Sequence, residues 1–338
     1  MTVIAVDANG ADLGPSEVAA GARIAAAQGI EVVLFGPAAE LRSAGPGVEV
    51  VDAPLSIAKD PDPVRAVHVS PEASIVQAAI AVGGGRAEAL VCNGSTGAAL
   101  AAGHRHIKRA SGVYRPALAL TLPVPGRPVT LLDVGANADV RPEILVQFAF
   151  MGAAYAAAVL GVERPRVALL SNGTEAERGS QLVIDAHARL AAQAAQSEAL
   201  LFIGNVEGGD LVRGVADVVV TDGFTGNVAL KLIEAVSQVT LGAVRDVARA
   251  TPRGRLGGLA LRPGIGAFRE EIDPERQGGA YLLGLRRLGV VAHGNFTRHG
   301  IARAIVRARR GVEEDLVGRT HLALEAAGAL RRPTLPSA

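Results

Sequence analysis

Tryptophan is absent from this 338-residue chain, cysteine occurs once, and aromatic residues make up only 3% of it. The lone Cys92 rules out an intramolecular disulfide and fits a reducing cytosol. With so few aromatics there is no stacking platform for bases, which argues against nucleic acid as a partner. An excess of one charge is lacking too. The formal net charge is +1, so bulk electrostatics does not make the molecule a polyanion binder. Several catalytic signatures are also missing. No G-x-G-x-x-G appears, and none of the three lysines (Lys59, Lys108, Lys231) follows a glycine, so no Walker A loop exists. There is no H-E-x-x-H, no C-x-x-C and no G-x-S-x-G. A nicotinamide enzyme, a P-loop NTPase and an α/β-hydrolase are disfavoured, and neither a metal nor an organic cofactor is expected.

No secretory leader is expected, because Asp7 interrupts the apolar run at the N-terminus, and the expected location is the cytoplasm. One stretch does reach spanning length, the nineteen uncharged residues from Ile144 to Val162. Its six alanines, its two glycines and Gln147, with no positive bias in the flanks, read instead as a crossover helix buried against a sheet.

What the chain has is apolar content, 49%, arranged in short runs that alternate with helical patterns. Strands are expected near 3–7, 31–35, 48–52, 88–92, 117–122, 128–133, 166–170, 200–203 and 216–221, then 280–284 and 288–292. Helices are expected near 15–28, 71–82, 96–110, 142–160, 176–195 and 225–249. This βαβ alternation predicts an α/β fold, a three-layer α/β/α sandwich on a largely parallel sheet. No linker or repeat divides the chain, so one domain over residues 1–338 is expected. An Arg/Gly/Pro-rich segment at about 236–275 would protrude from it as a helical insertion.

Two turns carry the chemistry. GVADVVVTDGFTGNVALKLIE (214–234) and PVTLLDVGANADVRPEILVQF (128–148) each run from an apolar strand through a glycine-rich polar turn into a helix. Such turns point backbone N–H groups at an anion, at strand C-terminal ends where open α/β sheets place ligands.

The wording of these turns resembles the PlsX family, phosphate acyltransferases of phospholipid synthesis. VDANGAD (6–12), NGSTGA (93–98), LLDVGANADVRPE, FIGNVEGGD (202–210), DGFTGNVALK, QGGAYLLGL (277–285) and VVAHG (290–294) occur in the family's order. Departures occur at Asn9 and Ala11, at Ser95, at Gly209 where an arginine is usual, in SNGTE (171–175), and at Tyr281 where proline is usual. The resemblance implies transfer of a fatty acyl group from acyl-acyl-carrier-protein to inorganic phosphate, giving acyl phosphate, by a homodimer. Two alternatives stay open: acyl-coenzyme A as donor, and a catalytically lapsed paralogue that binds carrier protein or acyl lipid.

That reaction needs an oriented phosphate, donors for the oxyanion and a fate for the departing thiolate. Asp222, His293 and Asn227 are the catalytic candidates. Asp222 is equally a turn former, and His293 equally a surface residue. Substrate binding is expected of Asp7, Gly94, Ser95, Thr96, Asp133, Gly135, Asn137, Asn205, Glu207, Gly223, Thr225 and Lys231. Thr225 is also a candidate helix N-cap, and Lys231 is far enough along its helix to face solvent. Cys92 reads as a buried thiol rather than a nucleophile.

Residues 286–310 hold seven arginines and no acid. Arg303, Arg307 and Arg310 share a helix face that is either solvated or a dock for the acidic carrier protein. Val236, Val239, Leu241, Val244 and Val247 give an amphipathic pattern suited to fold packing, a second subunit or peripheral membrane contact.

Overall fold

The computed structural model describes residues 2–122, 124 and 127–331, so the expected domain bounds, 1–338, run past the described residues at both ends. All the strands belong to one sheet. In chain order they are β1 (Val3–Asp7), β2 (Glu31–Gly36), β3 (Val48–Asp52), β4 (Ala89–Asn93), β5 (Ala117–Leu122), β6 (Val129–Leu132), β7 (Arg166–Leu170), β8 (Leu201–Val206), β9 (Val218–Val220), β10 (Ala280–Leu283) and β11 (Leu288–Ala292). Their spatial order is β3-β2-β1-β4-β11-β10-β5-β6-β9-β7-β8.

The sheet is mostly parallel, but the exceptions lie together at its middle. β10 runs antiparallel to both β11 and β5, and β5 runs antiparallel to β6. Three successive reversals invert the direction. The β3-β2-β1-β4-β11 half therefore ends its strands at one edge, here called the upper edge, and the β6-β9-β7-β8 half ends its strands at the opposite, lower edge.

Helices cover both faces, as buried parallel strands require. On one face lie α1 (Pro15–Ala26), α5 (Pro142–Leu160), α6 (Gln181–Ala194), α10 (Arg298–Glu313) and α11 (Leu316–Ala326), which close over the larger core cluster. On the other, α2 (Pro63–Val69), α3 (Ser74–Gly83) and α4 (Thr96–Ala102) pack over Phe35, Leu90 and Leu118. The uncharged run is α5, and 83% of its apolar window is buried in the protein. Gln147 in its middle donates to the carbonyls of Gly112 and Ala329 and accepts from the Tyr114 N–H, so its amide is satisfied internally.

Several elements differ from expectation. The helix expected at 71–82 is preceded by α2, which Asp62 caps and Pro63 opens. The expected 96–110 helix leaves α-geometry after Ala102 for one wide turn, Gly103–Ile107. As expected of the insertion, residues 236–271 are helical apart from Thr251: α7 (Gly223–Ala250) runs into α8 (Pro252–Glu271), with Thr251 accepting from the Gly254 N–H at the junction. Pro263 lies inside α8, none of whose residues is buried. A short α9 (Pro274–Gln277) leads back to β10.

The arginine face of α10 also needs correction. Arg303 and Arg310 are exposed, but Arg307 turns inward. Its guanidinium lies 4.5 Å from the Tyr281 ring centroid and donates to the Tyr155 hydroxyl (2.7 Å) and the Gln277 carbonyl (2.9 Å). Tyr281 is thus part of a buried cluster, which accounts for an aromatic at a position where the family usually has proline.

Candidate active site

A cleft of about 820 Å³ opens at the middle of the sheet, roofed by α7 and floored by β5, β10 and β11. Its walls at the upper edge come from three loops held together by backbone bonds. Asp12 N–H donates to the Gly294 carbonyl (2.7 Å), and Gly94 N–H to the Ala292 carbonyl (3.0 Å). Gly94 has φ +85°, and a Cβ there would run into the Gly10 carbonyl, so only glycine lets these loops meet. Ser95 caps α4 by accepting from the Ala98 N–H (3.3 Å), and Thr96 follows it into the cleft wall.

His293 stands in this wall just beyond β11. Lys231, from the roof, lies 3.1 Å from His293 Nε2 and donates to Glu234 Oε2 at 2.8 Å. An ammonium only donates, so His293 accepts at Nε2 and carries its ring proton on Nδ1. Its ring stacks on Phe296, with centroids 6.2 Å apart. Lys231 was expected to face solvent at least as readily as a ligand; the structure places it beside the histidine. Glu234 was not anticipated, although its i,i+3 spacing from Lys231 is a readable signal. Lys59 and Asp12 complete the polar rim.

The lower edge is built differently. Asp133 is fully buried, and its two oxygens accept from the N–H groups of Leu118, Gly135, Ala136 and Asn137 and from Asn137 Nδ2, at 2.8–3.2 Å. Burial pushes its carboxyl above the usual range, and these hydrogen bonds oppose that rise. Asn137 Nδ2 also donates to the Pro116 carbonyl (2.7 Å). The second turn packs onto the first. Gly223 N–H donates to the Asn137 carbonyl (2.7 Å), and Gly226 sits so close to the Asp133 carbonyl that any Cβ would collide with it. Asp222 caps α7, accepting from the Thr225 N–H (2.8 Å) and hydroxyl (2.7 Å).

These facts correct the anion-cradle expectation for both turns. The N–H groups of Gly135, Ala136, Asn137, Gly223 and Thr225 are occupied within the fold, so they organise the turns instead of presenting donors to a ligand. Asp222, not Thr225, is the N-cap, and its carboxylate is engaged by Thr225. None of Asp133, Gly135, Asn137, Asp222, Gly223 and Thr225 lines the cleft. Asn227 does: its Nδ2 donates to the Val134 carbonyl (3.2 Å), joining the roof to the end of the cleft floor.

Two further candidates lie elsewhere. Asn205, at the end of β8, bonds His187 Nδ1 (2.9 Å) and the Glu175 carbonyl (2.8 Å), while Glu207 forms a capping box with Asp210. Asn205 belongs to the outermost strand and Glu207 follows it directly, with β7, β9 and β6 between them and the cleft floor. Asp7, at the end of β1, is buried beneath the upper edge and does not line the cleft. It accepts from the Ser74 hydroxyl (2.6 Å) and the Asn9 N–H (3.2 Å), and burial pushes its carboxyl up to about 6. Cys92 is buried with its Sγ 3.7 Å from the Val290 carbonyl, and burial pushes its thiol upward, away from nucleophilic use.

The cleft thus joins a polar rim, with Lys231, His293, Lys59 and Asp12, to an apolar floor, with Leu118 and Leu120. A family model described as "Fatty acid synthesis protein" matches residues 2–319. The chain belongs to this family. A phosphate acyltransferase of Anoxybacillus flavithermus is 42% identical over 320 residues, covering 93% of this chain and 96% of the relative. One of Gloeobacter violaceus is 42% identical over 326 residues, covering 94% and 95%. Among solved structures, a phosphotransacetylase of Streptococcus pyogenes superposes with a TM-score of 0.61 at 18% identity, covering 92% of this chain and 94% of that one. The EutD phosphotransacetylase of Staphylococcus aureus gives 0.58 at 16%, covering 97% and 94%. At such identities the likeness is one of fold, and it agrees with the α/β/α architecture expected for the family.

Proposed function

We propose that the protein is a phosphate acyltransferase that moves a fatty acyl group from acyl-acyl-carrier-protein to inorganic phosphate at the upper edge of this cleft. The observation that carries the reading is the Lys231–His293 pair, which opens into the cleft beside Ser95 and Thr96. A phosphate oxygen attacks the thioester carbonyl, a C–O bond forms, the C–S bond breaks, and the thiolate leaves as a thiol after taking a proton. Lys231 and Lys59 offset the charge of the phosphate, and the Thr96 hydroxyl donates to it. His293 moves the proton, with Lys231 fixing which ring nitrogen faces the reaction. Glu234 holds Lys231 in place. The product is acyl phosphate, and no metal or cofactor takes part in these steps.

For partners, the exposed Arg303 and Arg310 on α10, with the arginines of the α7–α8 hairpin, suit an acidic carrier protein and would mainly raise its encounter rate. The hairpin exposes Val236, Val239, Val244, Val247, Leu256 and Leu259, each at least 41% accessible, which suits a second subunit of a homodimer. Peripheral membrane contact is the lesser use of the same face, in a protein of the cytoplasm.

Hydroxylamine trapping tests the reading directly. Acyl hydroxamate above the direct reaction of hydroxylamine with the thioester should require both enzyme and phosphate, and should form faster from the carrier-protein donor than from acyl-coenzyme A. His293→Ala should cut kcat by about 10²–10³ without changing the melting temperature, because the side chain is exposed. Hydroxamate formation indifferent to phosphate, or kinetics indifferent to His293, would overturn it.

A further inference from the structure

The middle of an eleven-stranded sheet is where apolar side chains are normally covered by a helix in direct contact, and here Leu120 is left half-buried beside the buried Leu118 and Ala280. Over β5 the helix is α7, yet of its 28 residues only Gly223, Gly226 and Leu230 are buried. Between α7 and the sheet lies the lower arm of the cleft, floored by Leu118 and Leu120 of β5 and by Ala280 of β10. The β5 residues that line it, Leu118 to Thr121, span about 10 Å along the strand. No ionisable side chain belongs to that floor. At its upper end the arm meets Lys231 and His293, and at its lower end Val134 and the Asn227–Val134 bond close it.

Taking the acyl-transfer reading above as its basis, we propose that this arm holds the acyl chain of the substrate, and that Leu120 and Val134 set the chain length it accepts. The occupant follows from the shape of the polarity. A ligand lying here must be uncharged and apolar along its length and must carry its polar group at one end, beside the cationic Lys231. A fatty acyl chain ending in a thioester or an acyl phosphate has that form. A peptide would bring backbone N–H and C=O groups onto a floor whose polar side chain, Thr121, is already bonded to the Tyr155 hydroxyl. A nucleotide would lack an aromatic face to stack on, since Phe296 already stacks with His293. The polar closure is informative as well. Asn227 bonds a backbone carbonyl, so substituting the Val134 side chain leaves that bond in place while adding room at the end of the arm.

The test is binding, which does not depend on turnover. A series of saturated alkylphosphonates of increasing length is titrated calorimetrically against the whole protein, the phosphonate standing in for the phosphate of the product. Affinity should rise about fourfold per methylene until the chain reaches Val134 and then level off. Val134→Ala should move that plateau to longer chains. Leu120→Trp, at a half-buried position able to take the bulk, should move it to shorter ones, with a melting curve to confirm that each variant is folded. A plateau that stays put in both folded variants would overturn the proposal, as would wild-type protein whose affinity is indifferent to chain length. Hydroxamate trapping reports separately on the acyl-transfer reading: phosphate-dependent product with an unmoved plateau removes only the acyl site, whereas a moving plateau without product removes only the reaction.

Discussion

The two edges of the sheet carry similar glycine-rich turns and use them in opposite ways. At the lower edge the donors of the 133–137 and 222–227 turns point at Asp133, Asn137 and Asp222, so the turns are bound to each other. At the upper edge Gly94, Ser95 and Thr96 line open space, with a lysine and a histidine within hydrogen-bond distance of each other beside them. The Gly94 and Ser95 N–H groups of the upper turn also have internal acceptors, the Ala292 and Asn93 carbonyls, so what sets that turn apart is the open cleft and the side chains it faces. At the lower edge the acceptor in the first turn is the buried Asp133, which makes that turn a structural clasp.

The two buried carboxylates show the same contrast. Asp133 accepts five hydrogen bonds, while Asp7 has two, from Ser74 and Asn9. The sparser set leaves burial less opposed at Asp7, in keeping with a carboxyl pushed up to about 6.

Substitution at Asp133 breaks the comparison most directly. Asp133→Ala strands several buried donors at once, and at roughly 1–3 kcal/mol for each unsatisfied group the loss should be on the order of 5 kcal/mol, seen as a collapse of the urea midpoint. A variant of unchanged stability that lost only turnover would instead place the reaction at the lower edge.

Asp7 gives the next largest effect, and it depends on pH. Its folded carboxyl titrates near 6 against an ordinary 3.8, so the native state binds the proton more tightly. This contribution to stability is whole below about pH 3.8, falls as pH rises through the interval and is gone above about 6. Asp7→Asn, which keeps an acceptor for Ser74, should remove that slope and leave the protein up to about 3 kcal/mol more stable than wild type above pH 7. Parallel melting curves of the two proteins across pH 4–7 would show no titrating carboxyl here.

The smallest effect sharpens the contrast between cap and catalyst. Asp222→Ala should lower stability by about 1 kcal/mol, the ordinary worth of an N-cap, and Asp222→Asn should restore most of it, with acyl-phosphate turnover little altered in either. A fall in kcat of more than about tenfold with the melting temperature preserved would return Asp222 to the catalytic group.

Much of the fold could be read from the chain because its strands are short apolar runs, Val3–Asp7 and Val218–Val220 among them, punctuated by glycine. The inversion at the centre could not. Residues 117–122 and 128–133 look alike as strand sequences whichever way they run, since side-chain alternation carries no sign of direction. Reading all strand ends onto one crevice therefore gathered Asp133, Asp222, Asn205 and His293 into a single site, which the reversals at β10, β5 and β6 divide. Lys231 was placed on its helix by sequence, but its partner lies 62 positions away and no local pattern announces it. The insertion was expected to be helical, but its division into α7 and α8 was obscured by Pro263 and the glycines of α8, whose low helix propensity blurs where each helix begins.

Arg307 has a mechanical consequence. It reaches from α10, which packs on β11 and β4, to Tyr155 on α5, which packs on β6 and β9, and it lies against Tyr281 between them. The inward cation thus rivets the two halves of the sheet across the very strands where direction reverses. A molecule fastened there does not open by spreading its halves. The loosely held element at the cleft is instead α7, which has few buried contacts beyond its first two turns. The roof is thus the loosely held side of the cleft and the sheet its fastened side, and the residue that fastens the sheet lies outside the cleft lining.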